Sequence, residues 1–431
     1  MQRGVFLGVF LCMGLLCPLT LLLASPVTLS LEDALELGIQ NSLNLEKSRI
    51  DLSMAEYSAN RLWSEIFPTI TGSLGASYDN RLFSGDGWDP NAEGRLSAGL
   101  GLNLTLNAGI PYAMKNIRLA YQTRLLNYED ACNQLGIQLT RSFYSLIADF
   151  DNLAVLTDML NLAQLQHEQN QVAFNNGLIG ELTLMQSRLG MENARYSLSA
   201  ARSAYATRMG DFLAQLGIDQ DTDAALEGKI EIAKVEADAE RLILEYLPRR
   251  PDIAGRRQEI ERLENAEKQT GFAGRAPSLR LSADWNSRNF NPFSDTVSGS
   301  ATLNIPIDPW IPGTTRGQSV RSAKYAVDKA KLDLRSAENA AASQIRSLAA
   351  NLRNSWDSIE IARLSLGVAE RGHELTGQGF RNGTVESLKL EDARNNLVNA
   401  RQRLLQSELS YLNMILDMSA ALNIDWKDLM K

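Results

Sequence analysis

Proline is absent from residues 112–247 and 313–431, although the chain carries 12 of them. A proline inside a helix removes a hydrogen-bond donor and clashes with the preceding turn, so its absence permits very long helices. Both stretches are rich in Ala, Leu, Gln, Glu, Arg and Lys, the strong helix formers. Tyr112–Asn175 and Thr315–Arg381 are the candidate rods, each on the order of 100 Å long at 1.5 Å per residue. No compact globular domain needs such a rod.

Each rod stops at a break centred on glycine, Phe174-Asn175-Asn176-Gly177 and Phe380-Arg381-Asn382-Gly383. Asn and Gly tolerate the left-handed conformation that ends helices, which predicts tight turns between antiparallel partners. After the second break Leu390, Ala393, Leu397, Ala400, Leu404, Ser407, Tyr411, Met414, Met418 and Ala421 recur at heptad spacing, a seam for side-by-side helix packing.

The two breaks are copies. Phe174 aligns with Phe380, Gly177 with Gly383, Arg188 with Arg394, Asn193-Ala194-Arg195 with Asn399-Ala400-Arg401, Tyr205 with Tyr411, and Ile218-Asp219 with Ile424-Asp425. About a third of positions 174–219 are identical in this frame without a gap, which marks a tandem duplication.

Each half also holds two stretches of period two. Ile70, Gly72, Leu74, Ala76 and Tyr78 alternate with Thr69, Thr71, Ser73, Gly75 and Ser77; Leu96 to Leu106 alternate with Arg95 to Asn107. In the second half Leu279, Leu281, Ala283 and Trp285 oppose Ser278, Arg280, Ser282, Asp284 and Asn286. The last stretch sets Val297, Gly299, Ala301, Leu303, Ile305 and Ile307 against polar positions from Thr296 to Pro306. A strand of about ten residues crosses a bilayer at a tilt. Each pair forms a hairpin, joined through 79–94 and 287–295. Aromatic residues bracket them, with Phe67, Trp310 and Tyr112 on the helix side and Tyr78, Phe83, Trp88, Trp285, Phe290 and Phe293 on the loop side. Such rings suit the two membrane interfaces. A soluble sheet packed on helices gives the same alternation. In lipid, however, open sheet edges go unsatisfied, and four strands are fewer than any bacterial barrel. Several chains must then contribute, and three would supply twelve strands around an aqueous lumen.

The amino terminus sets the compartment. Arg3 precedes an uncharged run from Gly4 to Leu29 whose apolar heart, Val5–Leu23, ends in Ala24-Ser25. This pattern reads as an export signal over 1–24 in preference to a retained anchor. Cys12 and Cys17 leave with it, so Cys132 stands alone and no internal disulfide can form. The formal charge of −8 loses Arg3 and becomes more negative still. Acidity argues against nucleic acid as a partner, and His at only two positions leaves little for a metal site. His167-Glu168 and His373-Glu374 occupy equivalent repeat positions, and neither continues as His-Glu-x-x-His. No phosphate loop is present. The expectation is a protein without enzymatic activity, cofactor or metal.

The chain resembles the TolC-type outer-membrane efflux protein family over essentially its whole mature length. The resemblance rests on Leu29-Ser30-Leu31-Glu32-Asp33-Ala34-Leu35, the turns Asn176-Gly177-Leu178 and Asn382-Gly383-Thr384, and Arg250-Pro251-Asp252-Ile253, in that order within the duplication. It implies a homotrimer of mixed α and β class. Four strands per chain would form a β-barrel in the bacterial outer membrane, continued by a long α-helical barrel in the periplasm. Residues 25–228 would be the first repeat, with barrel strands at about 69–78 and 95–107. Residues 229–431 would be the second, with strands at about 278–286 and 296–307.

The implied function is the exit duct of a tripartite efflux or type I secretion system. Such a duct passively conducts substrates from a periplasmic adaptor and an inner-membrane transporter across the outer membrane. A periplasmic coiled-coil structural or adaptor protein without a barrel is the alternative. By position, the resemblance carries adaptor binding to Asn176, Gly177, Leu178, Asn382, Gly383 and Thr384. The family often has Asp six residues after each tip glycine; Thr183 and Lys389 stand there instead, while Asp392 matches a frequent acidic position. Glu386, Lys389 and Asp392 from three chains are expected to form a mixed-charge constriction at the entrance; a solvated, i,i+3-paired helix surface is the competing reading.

Overall fold

The structure, a computed structural model, describes residues 27–79, 93–290, 293–311 and 313–430. The expected signal segment 1–24 and the aromatic residues Phe83 and Trp88 lie outside the described residues. The first half runs β1 (Val27–Leu29), α1 (Leu31–Asn41), α2 (Leu43–Ala59), β2 (Thr69–Asp79), β3 (Glu93–Leu106), α3 (Ile110–Asn175), α4 (Glu181–Gln215) and β4 (Ala224–Leu226). The second runs α5 (Ala239–Tyr246), α6 (Pro251–Lys268), β5 (Ser278–Phe290), β6 (Phe293–Asn304), α7 (Thr315–Arg381), α8 (Ser387–Leu422) and a terminal turn, α9 (Trp426–Leu429).

The two proline-free rods are each one uninterrupted helix, α3 with 66 residues and α7 with 67. Proline sits in the first turn of α3, where its missing N–H costs nothing. Thr314 caps α7 by accepting from the Gly317 amide. Ser30 and Asp33 form a reciprocal capping box at the start of α1. Among the described residues no helix is long and apolar enough to cross a membrane.

The four long strands form one antiparallel sheet in the order β2-β3-β5-β6. Each half contributes a hairpin, and β3 pairs with β5 to join them. Two details differ from the sequence reading. The second hairpin lacks the long connection expected over 287–295, because pairing continues to Phe290 opposite Phe293. The last strand ends at Asn304 rather than 307, since Pro306 has no N–H to continue a ladder.

The packed core lies midway along the rods. Ala34, Leu139, Phe143, Phe212 and Leu216 are buried together, as are Ile345, Met418 and Leu422 and Leu352, Ile359, Tyr411 and Ile415. Ile137 packs with Leu412 and Leu416 and so ties one half to the other. Burying each such side chain contributes about 1.5–3 kcal/mol. None of the ten heptad positions on α8 is exposed. Burial on α8 is nevertheless wider than that seam, taking in Arg394, Val398, Leu412, Ile415 and Leu416. The cause is that α8 sits between α7 on one side and α3 on the other; Arg141 Nη2 reaches Asp417 at 2.6 Å and Gln402 donates to Asn152 at 3.1 Å.

Candidate functional site

The sheet has a crowded face and an open one. On the polar face a Cβ added to Gly99 would stand 2.8 Å from both Asn286 Oδ1 and Ser73 Oγ. One added to Gly101 would stand 2.8 Å from Thr71 Oγ1 and 2.9 Å from Asp284 Oδ1. On the apolar face Gly72 and Gly299 meet nothing nearer than 3.8 and 3.9 Å. Side chains converge on the concave side of a curved sheet and diverge on the convex side. The hydroxyl and amide side chains therefore stand on the concave face, and Leu74 (90% exposed) and Val297 (80%) on the convex one. The 11 residues of β2 span about 36 Å at 3.3 Å per residue, enough to cross a bilayer core when tilted.

At the far end of the rods the two breaks have the same backbone. Gly177 and Gly383 have φ of 72° and 73°. The Leu178 amide donates to the Ala173 carbonyl at 2.9 Å, and Thr384 does the same to Gly379 at 2.9 Å. This six-to-one bond with a left-handed glycine is the Schellman ending. The side chains differ. Leu178 is exposed, whereas the Thr384 hydroxyl turns back to donate to the Gly379 carbonyl at 3.0 Å.

Of the three expected constriction residues, Lys389 and Asp392 line one groove between α7 and α8, about 690 Å³ in volume, and Glu386 does not. Glu386 instead occupies the cap position of α8. All three are exposed, as the competing reading of a solvated surface has them, and among the described residues none of them makes an ion pair. The same groove takes in His373, Asn396, Asn399 and Arg403. Those α8 positions follow Asp392 at helical spacing, a signal that was available in the sequence. Arg394, by contrast, is 5% exposed, with Glu391 at 3.8 Å and its Nε without a partner. Burial lowers its pKa against the opposing pull of Glu391. His373 is held below its ordinary value of 6.5 first by burial and then by Arg394 and Arg401. The equivalent His167 has its Nδ1 3.1 Å from Ser187 Oγ, which also lies 2.8 Å from the Leu184 carbonyl.

The two flanks of the molecule carry exposed apolar stripes that sequence reading missed. On one flank Ile50, Met54 and Tyr57 of α2 and Leu182, Met185, Leu189 and Tyr196 of α4 are exposed at intervals of three, four and seven. On the other flank α7 exposes Tyr325, Leu332, Ile361 and Leu375, while Leu364 and Val368 line the groove shared with α8. Leu182–Tyr196 begins five residues after Gly177, and Ile361–Leu375 ends eight residues before Gly383. The flank with α2 continues into β2 and the flank with α7 begins at β6, the two open edges of the sheet.

Residues 34–216 and 242–423 each match the sequence profile described as outer membrane efflux protein. The chain belongs to that family. This outer membrane efflux protein has the fold of solved channels of low sequence similarity. CusC superposes with a TM-score of 0.75 at 16% identity over 92% of each chain. The Campylobacter jejuni outer membrane channel CmeC gives 0.74 at 17% identity, over 92% of this chain and 88% of that one. The open-state Neisseria gonorrhoeae outer membrane channel MtrE gives 0.72 at 14%, over 91% and 89%. No curated protein matches the chain. The efflux protein is an outer-membrane channel of a trimeric family, its four-stranded sheet one share of the β-barrel and its helices the periplasmic part.

Proposed function

We propose that three copies close head to tail into a duct that receives substrates from a periplasmic adaptor and an inner-membrane pump and passes them out without chemistry of its own. The observation that carries this reading is the matched pair of flanks. Each copy has one open strand edge and one apolar helical stripe on each side, and such unlike surfaces build a ring when the rotation closes. All neighbouring strands run antiparallel, and an even number per chain keeps the alternation across the seam, β6 of one copy beside β2 of the next. Lipid leaves no alternative for the open edges.

Within this duct residues 1–24 serve as the export signal, and 25–228 and 229–431 are the two repeats. Asn176, Gly177, Leu178, Asn382, Gly383 and Thr384 are the adaptor-binding tips. Glu386, Lys389 and Asp392 from three copies ring the entrance, with the last two in one groove supporting a shared role. Photo-crosslinkers at positions 178 and 384 are expected to capture a periplasmic adaptor, and capture only of barrel-side proteins defeats the assignment of the tips. Reconstituted trimers carrying Asp392→Ala are expected to lose part of their sensitivity to cation block; unchanged block and current would remove the ring from the entrance.

A further inference from the structure

At the helix end of the sheet two arginines lie on aromatic rings and lack a carboxylate partner. Arg61 Cζ is 3.8 Å from the centroid of Tyr57, and Arg275 Cζ is 5.0 Å from that of Trp310. Among the described residues neither has a carboxylate within ion-pair distance, and Arg275 Nε is buried without any hydrogen-bond partner. Arg316, at the same end of the sheet, is by contrast engaged with Asp308 at 3.1 Å. Glu65, on the turn that carries Trp63, pairs with neither arginine.

Around these groups the surface is apolar. Trp63, Ile66 and Phe67 are exposed just before β2, and Phe272, Ile307, Trp310 (65% exposed) and Ile311 are exposed beside the chain ends of β5 and β6. Trp63 and Phe67 meet edge to face at 5.4 Å, so the pair is an ordered surface feature. One cluster precedes the open edge β2 and the other follows the open edge β6. Ring closure therefore brings Arg61 of one copy and Arg275 of the next to the same seam.

We propose that each seam binds the phosphodiester headgroup of a phospholipid from the leaflet nearest the helices. Three physical features converge. The clusters continue the outward apolar face of the sheet, so they lie where hydrocarbon gives way to headgroups. Tryptophan and tyrosine rings are favourable at that depth because one end is apolar and the other wet. An unpaired guanidinium has a planar fork that matches phosphate, and stacking on a ring holds it in place while leaving its N–H groups free to donate. A protein partner would not require the cluster to border the lipid face at the same level on both edges.

Native mass spectrometry of the full-length trimer in mild detergent tests the site. Wild-type trimer is expected to retain phospholipid, and Arg61→Gln with Arg275→Gln to lose it by about fivefold per arginine. Arg316→Gln, whose native partner is Asp308, is expected to retain as much lipid as wild type. Equal retention by the double variant overturns the proposal, and so does a bound species that proves to be lipopolysaccharide or inorganic phosphate. Should the double variant not assemble, wild-type trimer in phospholipid vesicles doped with brominated phosphatidylglycerol or with brominated diacylglycerol, which lacks the phosphate, provides the second measurement. Stronger tryptophan quenching by the brominated phospholipid, lost in Trp63→Phe with Trp310→Phe, supports the site; equal quenching by both lipids overturns it. Because this inference rests on the trimeric duct, outer-membrane fractionation of the same proteins reports separately whether that reading holds.

Discussion

Asp284 Oδ1 folds over Gly101, 2.9 Å from the place where a Cβ on that glycine would lie. Thr71 Oγ1 approaches the same point from the other side at 2.8 Å. The two contacts show that the polar side chains of adjacent strands converge, and they identify the lumen side of the wall. Gly101→Val places three carbon atoms where two side chains already stand. Overpacking of this kind costs about 1–3 kcal/mol. The expected outcome is a trimer that dissociates at lower temperature on a gel, whereas Gly72→Ala on the open face leaves the dissociation temperature unchanged.

The flanks make a separate prediction about assembly. Leu189 on α4 and Ile361 on α7 are exposed on opposite sides of one chain and are expected to be covered in the ring. Placing Asp at either position puts a charge into an apolar seam, a cost of several kcal/mol without a partner. Both single variants should shift the protein from trimer to monomer in detergent, measured by light scattering. A trimer of undiminished stability with both substitutions would show that the stripes face something other than a second copy.

His373 should make the protein sensitive to acid. Burial first, and then the charges of Arg394 and Arg401, hold its pKa below 6.5. The unfolded chain therefore binds a proton at His373 at a higher pH than the folded one does. Stability contributed by the neutral ring is present above about pH 6.5 and is lost as pH falls below it. The melting temperature of wild type is expected to fall from pH 7.5 to 5 more steeply than that of His373→Gln. Parallel curves for the two proteins would contradict this.

Tyr411 is fully buried; its hydroxyl donates to the Ala233 carbonyl at 3.0 Å and accepts from the Val235 amide at 2.9 Å. It clasps α8 to the segment 227–238 with both capacities of a single hydroxyl. Tyr411→Phe keeps the ring and leaves a carbonyl and an N–H unpaired, at a cost of about 1–3 kcal/mol. Thermal unfolding of the detergent-solubilised protein should reveal this loss. Tyr205, the repeat equivalent, is expected to tolerate the same change better, since it packs at the edge of its core.

At the tips, Gly177 and Gly383 have φ near +70° with nothing within 4 Å of an added Cβ. The penalty for Ala at either site is then backbone strain alone, about 1–2 kcal/mol. Asn, which tolerates this conformation, should cost less. Hydrogen exchange in the first turns of α4 and α8 is expected to quicken in Gly→Ala and to remain near wild type in Gly→Asn.

Much of this architecture is legible in local chemistry. A missing proline, an Asn-Gly pair or a period of two constrains the backbone within a few residues, and those constraints act before any distant contact exists. The expected rod Thr315–Arg381 matches α7 residue for residue, and the two tip turns fall at the expected glycines. The second hairpin was misread because Asn286 to Asp295 carries few alternating apolar residues. Cross-strand hydrogen bonds extend the pairing regardless of that pattern, to Arg288 opposite Ser294 and, past a register shift, to Phe290 opposite Phe293. The groove at the entrance was half legible: Asp392 and Lys389 share it, yet Glu386 three residues earlier belongs to the helix cap.

Sequence by itself determined the elements, their order, their duplication and the polar or apolar character of each strand face, because those follow from the covalent chain and its nearest neighbours. Only the tertiary structure decided which strand face is concave, which helices end as flanks, and that Arg394 is buried while its repeat equivalent Arg188 is exposed. The duplicated halves are nearly alike locally, but α8 is enclosed between α7 and α3 while α4 stands at the edge. That difference is made by packing between distant segments, and nothing in either repeat alone specifies it.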